Sequence, residues 1–193
     1  MIGWLPSAIG RRLRGRRIGI DKTLFFDESM AATPDCIVVE STAFTNGGVI
    51  PQAHSCDGNG SSPPFSWSGI PENAAAVAVV IEDGDSPTSA PMVHLVAWGF
   101  AGKDGAVATG GCNRNSKTHG GKPFSLGRNG MYALGYTPPD PPPGHGPHHY
   151  LIQVYALNQT LEFSSAPGLK QLARSMKGLV IAKGALEGIY ERN

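Results

Sequence analysis

The chain has 193 residues, 16 Lys and Arg against 15 Asp and Glu, 40% hydrophobic residues, 26 glycines and 16 prolines. That length buries one ordinary core, the mildly acidic body after residue 22, ten Lys and Arg against fourteen Asp and Glu, argues against nucleic acid as a general partner, and no apolar run of about 18 residues offers a transmembrane helix. Three widely spaced cysteines, Cys36, Cys56 and Cys112, do not form a secreted disulfide framework and read as reduced cytoplasmic thiols, with one disulfide plus a free thiol as the lesser alternative.

At the start, Leu5, Ile9 and Leu13 recur every four residues beside Arg11, Arg12, Arg14, Arg16 and Arg17. This spacing predicts a short basic amphipathic helix, either docked on the protein's own body or touching an anionic membrane or a partner through residues 1–22. Arg11-Arg12 and Arg16-Arg17 are not read as a twin-arginine export signal, because Asp21, Lys22, Asp27 and Glu28 break the apolar stretch that such a signal needs. Residues 1–35 are set apart as a basic N-terminal extension, and residues 36–193 as the domain proper.

From Cys36 the pattern turns strand-like. Ile37 to Phe44 is β-branched and ends at the turn signal Asn46-Gly47-Gly48. Residues 75–82 read as a buried strand running into Asp83-Gly84-Asp85, and residues 92–100 as a second apolar strand with His94 inside it. Residues 102–130 are long for a structureless loop, a length that often marks function. The segment from Pro138 to Tyr150 holds six of the 16 prolines, which stiffen it. His148 and Tyr150 stand two apart where it enters strand 149–157, so they point to one side. Leu169, Leu172 and Met176 have helical spacing between Pro167 and the stop at Gly178, and residues 180–186 read as a last strand. The class is mainly β: a β-sandwich or β-rich domain with one or two peripheral helices.

Four motifs lie in order along this frame. They are Asp57-Gly58 with Ser62-Pro63 and Trp67, then Asp83-Gly84-Asp85-Ser86-Pro87, then His94 in its strand. The last is Pro141-Pro142-Pro143-Gly144-His145-Gly146-Pro147-His148-His149-Tyr150. Together they resemble the phosphatidylethanolamine-binding protein family, in particular its bacterial and archaeal Raf kinase inhibitor-like branch, over roughly residues 41–192. The resemblance implies a β-sandwich and a small, rather exposed pocket for phosphate-like groups, lined by Asp83, Asp85, His94, Pro141, Pro142, His148 and Tyr150. Imidazolium and phenol groups are donors suited to phosphate oxygens, and a carboxylate orients a histidine. With no Lys or Arg inside the motifs, anion affinity is expected to follow histidine protonation.

Each residue also has a plainer reading. Asp83 and Asp85 can cap a turn, His94 can be a hydrogen-bonded core histidine, Trp67 and Trp98 read as core aromatics, and His145 and His149 as surface groups. The chain departs from the family where Gly84 replaces the proline of D-P-D, and where Pro138 replaces a glycine. His149 stands where the family has an arginine that pairs with an acid, which puts the supporting shell in doubt. Val93 and Leu95 flank His94 where the family has an aromatic.

No nucleophile motif such as G-x-S-x-G or H-E-x-x-H is present. The expected function is therefore a non-enzymatic binding module for a small phosphate-bearing or carboxylate ligand, without cofactor or metal. An inhibitor of a kinase or protease acting through the pocket rim is the runner-up. A hydrolase with Asp83, His94 and His148 around a metal stands behind it. A protein partner and a homodimer are left open.

Overall fold

A computed structural model describes residues 7–114, 118–119 and 122–192, with side chains over 7–114 and 124–192. Helix α1 (Ser7–Leu13) opens the described chain, and three 3-10 turns follow between Ile20 and Met30. The strands are β1 (Val38–Glu40), β2 (Gly48–Val49), β3 (Phe65–Ser68), β4 (Ala76–Asp83), β5 (Met92–Ala101), β6 (Gly105–Val107), β7 (Thr118–His119), β8 (Lys122–Pro123), β9 (Ser125–Leu126), β10 (His148–Leu157) and β11 (Val180–Tyr190). Helix α2 (Leu169–Met176) sits between the last two.

A six-stranded sheet, β2-β11-β10-β4-β5-β9, faces a three-stranded sheet, β1-β3-β6, while β7 and β8 form a separate hairpin. The mainly β expectation holds. Strand β4 explains why its sequence is apolar without alternation, since both its faces are covered. Val77, Val79 and Ile81 enter the core between the sheets, whereas Ala78 and Val80 enter a second core on the outer face. That second core is closed by Leu172 and Met176 of α2 and by Leu24 and Met30. Gly178 ends α2 with φ 77°, a conformation that favours glycine.

Some expected elements differ in extent. The strand expected over 37–44 stops at Glu40. There the Ser41 hydroxyl donates to Pro64 O (2.6 Å) and accepts from Ala43 N (3.1 Å), replacing ladder bonds by a local turn. The last strand runs on to Tyr190 because β10 pairs with it along its whole length. Residues 102–130, expected to be a loop, contain β6 and three two-residue strands, β7, β8 and β9.

The division at residue 35 is not a packing boundary. Leu24, Phe25 and Met30 are buried. Buried Lys183 donates from Nζ to Phe25 O (2.8 Å) and Met30 O (3.0 Å) while lying over the Phe25 ring. Buried Glu82 accepts at Oε2 from Leu24 N (2.8 Å) and Gln153 Nε2 (3.0 Å). Residues 20–30 are thus tied to the sheet by core side chains, and residues 7–18 by other means described below. Among the described residues, no helix is long and apolar enough to cross a membrane.

Candidate functional site

The site forms where β4, β5 and β10 end together. Tyr150 is opposite Asp83 in the β4–β10 ladder. In β5, Ile81 pairs with Leu95 and Glu82 with Val93, so His94 is the extra residue of a β-bulge. Without the bulge, His94 would share its face with Val96 in the second core. With it, the ring turns to the inner face and meets Tyr150 edge-on at 5.1 Å between centroids. His148 lies on the other side of Tyr150, stacked at 6.4 Å. The predicted common side for His148 and Tyr150 is present.

Asp83 both caps a turn and orients a histidine. Its Oδ1 accepts from Asp85 N (2.8 Å), which caps the turn, and its Oδ2 meets His148 Nδ1 at 2.7 Å. The other His148 nitrogen, Nε2, meets His145 Nδ1 at 2.7 Å, and His145 Nε2 meets Leu13 O at 2.8 Å. The chain Asp83–His148–His145–Leu13 is therefore continuous. A carbonyl only accepts, so His145 Nε2 carries a hydrogen. Three contacts need three hydrogens, and two neutral imidazoles supply two. The third makes the histidine pair cationic against the Asp83 carboxylate or sits on Asp83 itself, and either way the assembled chain is neutral.

His94 behaves differently. Burial pushes its imidazole below the ordinary histidine range, outweighing the opposite pull of Asp83 and of Thr137. Its Nδ1 donates to Thr137 O (2.7 Å), so the neutral ring offers an acceptor at Nε2. In its neutral form His94 brings no positive charge to the site.

Tyr150 is 2% exposed, and its hydroxyl is the buried side-chain polar atom that lacks a hydrogen-bond partner among the described residues. Burial, with Asp83 nearby, pushes the phenol well above its ordinary range, so it stays a donor. The cavity shared by Tyr150, His94, Tyr136, Pro139 and Ile81 measures about 10 Å³. That is about the room one water centre occupies.

The resemblance implied a rather exposed pocket, and the structure closes it. Asp83, Asp85, His94, His148 and Tyr150 are all buried. Pro141 and Pro142 are buried in the loop, where Pro142 O accepts from His145 N (3.0 Å), and Pro139 lines the cavity instead. Gly84 does not admit a ligand. A Cβ there would stand 2.6 Å from Ile20 Cα, and Gly84 O accepts from Gly19 N (2.8 Å). Its missing side chain makes room for the N-terminal segment.

Three participants were not among the expected site residues. His145, read as a surface group, is 0% exposed and completes the histidine chain. Arg17 reaches in from outside the motifs. It meets Asp85 Oδ1 at 2.9 Å and donates to Pro147 O (2.7 Å) and His145 O (3.2 Å). His149, also read as a surface group, is half-buried and bonds Asp85 through both its backbone N (2.9 Å) and its ring. Burial alone would raise the Asp85 carboxyl, but the bonds from His149 and Arg17 together hold it below the usual carboxylate range. His149 and Arg17 thus meet the acid at the position where the family arginine is missing, and Arg17 is a permanent cation beside a site expected to have none. On the far side, Arg192 pairs with both Asp57 and Asp140, fastening the proline-rich loop to the first motif.

The metal arrangement expected of a hydrolase is not what these side chains make. His148 spends both ring nitrogens on Asp83 and His145, and the Nδ1 of His94 is spent on Thr137. Asp83, His148 and His145 are strung end to end and do not converge on one point. Among the described residues, no group of three or more His, Cys, Asp and Glu is placed to hold a metal ion.

The phosphatidylethanolamine-binding protein profile matches residues 40–191 of this chain. The chain belongs to the phosphatidylethanolamine-binding protein family. It is 34% identical over 154 residues to a UPF0098 protein of Pyrococcus horikoshii, covering 79% of this chain and 75% of that one. A UPF0098 protein of Mycobacterium bovis is 34% identical over 177 residues, covering 88% and 79%. The crystal structure of a phosphatidylethanolamine-binding protein homologue of Chlamydia trachomatis superposes with a TM-score of 0.72 at 30% identity, covering 82% of this chain and 99% of that one. YbcL of Escherichia coli, at 24% identity and TM-score 0.75, shares the fold; the match covers 81% and 99%.

Proposed function

We propose that this member of the family is a non-enzymatic binding protein for a small phosphate-bearing or carboxylate ligand. The ligand is held where Tyr150, His94 and His148 come together. The observation that carries the reading is the Tyr150 hydroxyl, a donor buried without an acceptor. Such a group costs about 1–3 kcal/mol, and an oxygen of a bound anion removes that cost. The neighbouring groups suit the same ligand, because the Asp83-paired histidine chain can present an N–H and His94 can accept from a protonated ligand oxygen. Arg17 stands at the rim of the closed site, paired with Asp85.

Titration with inorganic phosphate, followed by NMR of the histidine rings, tests the reading. The His94 and His148 resonances are expected to shift together, and Tyr150→Phe is expected to weaken the titration. Unmoved resonances at pH 6 and high phosphate would refute it.

A further inference from the structure

We infer that residues 7–18 form a strap closing the anion site in cis, and that a ligand gains entry when this strap lifts. The inference rests on the anion-site reading for the ligand it excludes, but the closure itself stands on geometry alone.

The N-terminal segment is held in two contrasting ways. Residues 20–30 are anchored by the buried Leu24, Phe25 and Met30 and by Lys183, as described above. In α1, by contrast, Gly10 is the buried residue, and Ile9 is 40% exposed. The strap is latched by polar contacts to the rim: Arg14 Nε to Gly144 O (2.7 Å), Arg17 to Pro147 O, His145 O and Asp85, and Leu13 O to His145 Nε2. Partly exposed polar contacts of this kind are individually weak and exchange readily with water or with an anion. A surface cleft of about 460 Å³ separates part of the strap from the loop after β4, lined by Arg16, Arg17, Ile18 and Pro87 to Ser89. Gly19, with φ 104°, joins the two regimes at a conformation that favours glycine.

The strap lies over the chemistry and not beside it. The Leu13 carbonyl takes the outward hydrogen of His145, and His145 in turn takes His148 Nε2. While Leu13 is in place, no ligand oxygen can use either donor, and a cavity of about 10 Å³ cannot admit a phosphate ion. Opening the strap frees His145 to turn away, which releases His148 Nε2 for a ligand. The apparent affinity for an anion is then the intrinsic affinity multiplied by the fraction of molecules whose strap is open.

The close approach at Gly10 provides the test in the full-length chain. A Cβ built there would stand 2.0 Å from Pro143 O and 3.0 Å from His145 N, so Gly10→Leu forces α1 away from the loop. Two quantities are read: phosphate affinity by calorimetry, and deuterium exchange at the imidazole C2 positions of His145 and His148 by mass spectrometry. If the strap is closed in most molecules, Gly10→Leu binds phosphate about tenfold tighter or more, and both rings exchange faster. Arg14→Ala, which removes one latch contact and touches no core residue, shifts both quantities the same way by a smaller factor. It serves as the independent variant should Gly10→Leu fail to fold.

Equal phosphate affinity and equal ring exchange in wild type and both variants overturn the strap while leaving the anion site standing. Faster exchange with no phosphate binding in any form keeps the strap and overturns the anion site. Unchanged exchange with no binding overturns both.

Discussion

Tyr150 and Asp83 face each other across the β4–β10 ladder, yet their hydrogen bonding is opposite in kind. Both oxygens of Asp83 are engaged, one by the backbone turn and one by His148, whereas the Tyr150 hydroxyl is buried without a partner among the described residues. Folding has satisfied the acid and left the phenol unsatisfied.

Tyr150→Phe therefore separates stability from binding. Removing an unpartnered buried hydroxyl is expected to stabilise the free protein by up to about 1–3 kcal/mol, while phosphate affinity falls by the value of one charge-assisted hydrogen bond, about 1.5–3 kcal/mol. Urea unfolding without ligand and calorimetry with phosphate measure the two. A variant that loses stability and binds phosphate normally contradicts the role given to this hydroxyl.

His94 contributes a pH dependence whose sign follows from its burial. Its imidazole is held below the ordinary value of about 6.5, so the folded chain binds fewer protons there than the unfolded chain does. The stability linked to His94 is fully present above about pH 6.5 and is lost as pH falls below it. His94→Gln keeps a donor for Thr137 O and removes the titration. Unfolding midpoints between pH 8 and pH 5 should decline less steeply in the variant than in wild type. Parallel profiles would mean that His94 is not the neutral, buried group described.

Glu82 works in the other direction. Burial raises its carboxyl above the ordinary range, and the bonds from Gln153 and Leu24 oppose that rise without cancelling it. The stability linked to its neutral form is present below the unfolded value of about 4.3 and is lost as pH rises through the higher folded value. Glu82→Gln can still accept from Leu24 and Gln153 through its amide oxygen. Its stability relative to wild type should therefore improve from pH 4 to pH 8, as read by denaturant midpoints.

Much of the frame was legible. The strands over 75–82, 92–100 and 149–157 announce themselves because a sheet covered on both faces demands unbroken apolar runs, and α2 because Leu169, Leu172 and Met176 repeat at helical spacing. The nearness of Asp83 to the histidines follows from the motifs, and the shared face of His148 and Tyr150 from strand period; which histidine Asp83 pairs with does not. Four further things did not follow. The orientation of His94 depends on a bulge, which is a property of two strands and leaves no trace in one. His145 looks like a loop residue because its partners, Leu13 and His148, are distant or hidden by prolines. Arg17 is 68 residues from Asp85, and no local pattern links them. The anchoring of residues 20–30 by Lys183 and Glu82 is invisible because both anchors lie in strands that read as ordinary apolar runs with a stray charge.

Truncation distinguishes the two halves of the N-terminal segment. Removal of residues 1–18 is expected to leave the melting temperature within a few degrees, since its described part, residues 7–18, buries no large side chain. Removal of residues 1–35 uncovers the second core and strips Lys183 and Glu82 of their backbone partners. Leaving such buried groups unsatisfied costs about 1–3 kcal/mol or more each, so cooperative unfolding should be strongly weakened or lost. Comparable melting of both truncated chains, followed by circular dichroism, would show that residues 20–30 are ornamental.

The bulge at His94 makes the site a matter of counting. Strand β5 carries one residue more than its partner requires at that point, and the surplus residue is the histidine. Deleting Val93 or His94 would let the ladder close in regular register and keep Leu95, Val96 and Ala97 on their present faces. The sheet would remain, and the inner wall beside Tyr150 would lose its imidazole. The proposed site's imidazole is thus stored as an insertion, separable from the fold that carries it and open to gain or loss by one codon.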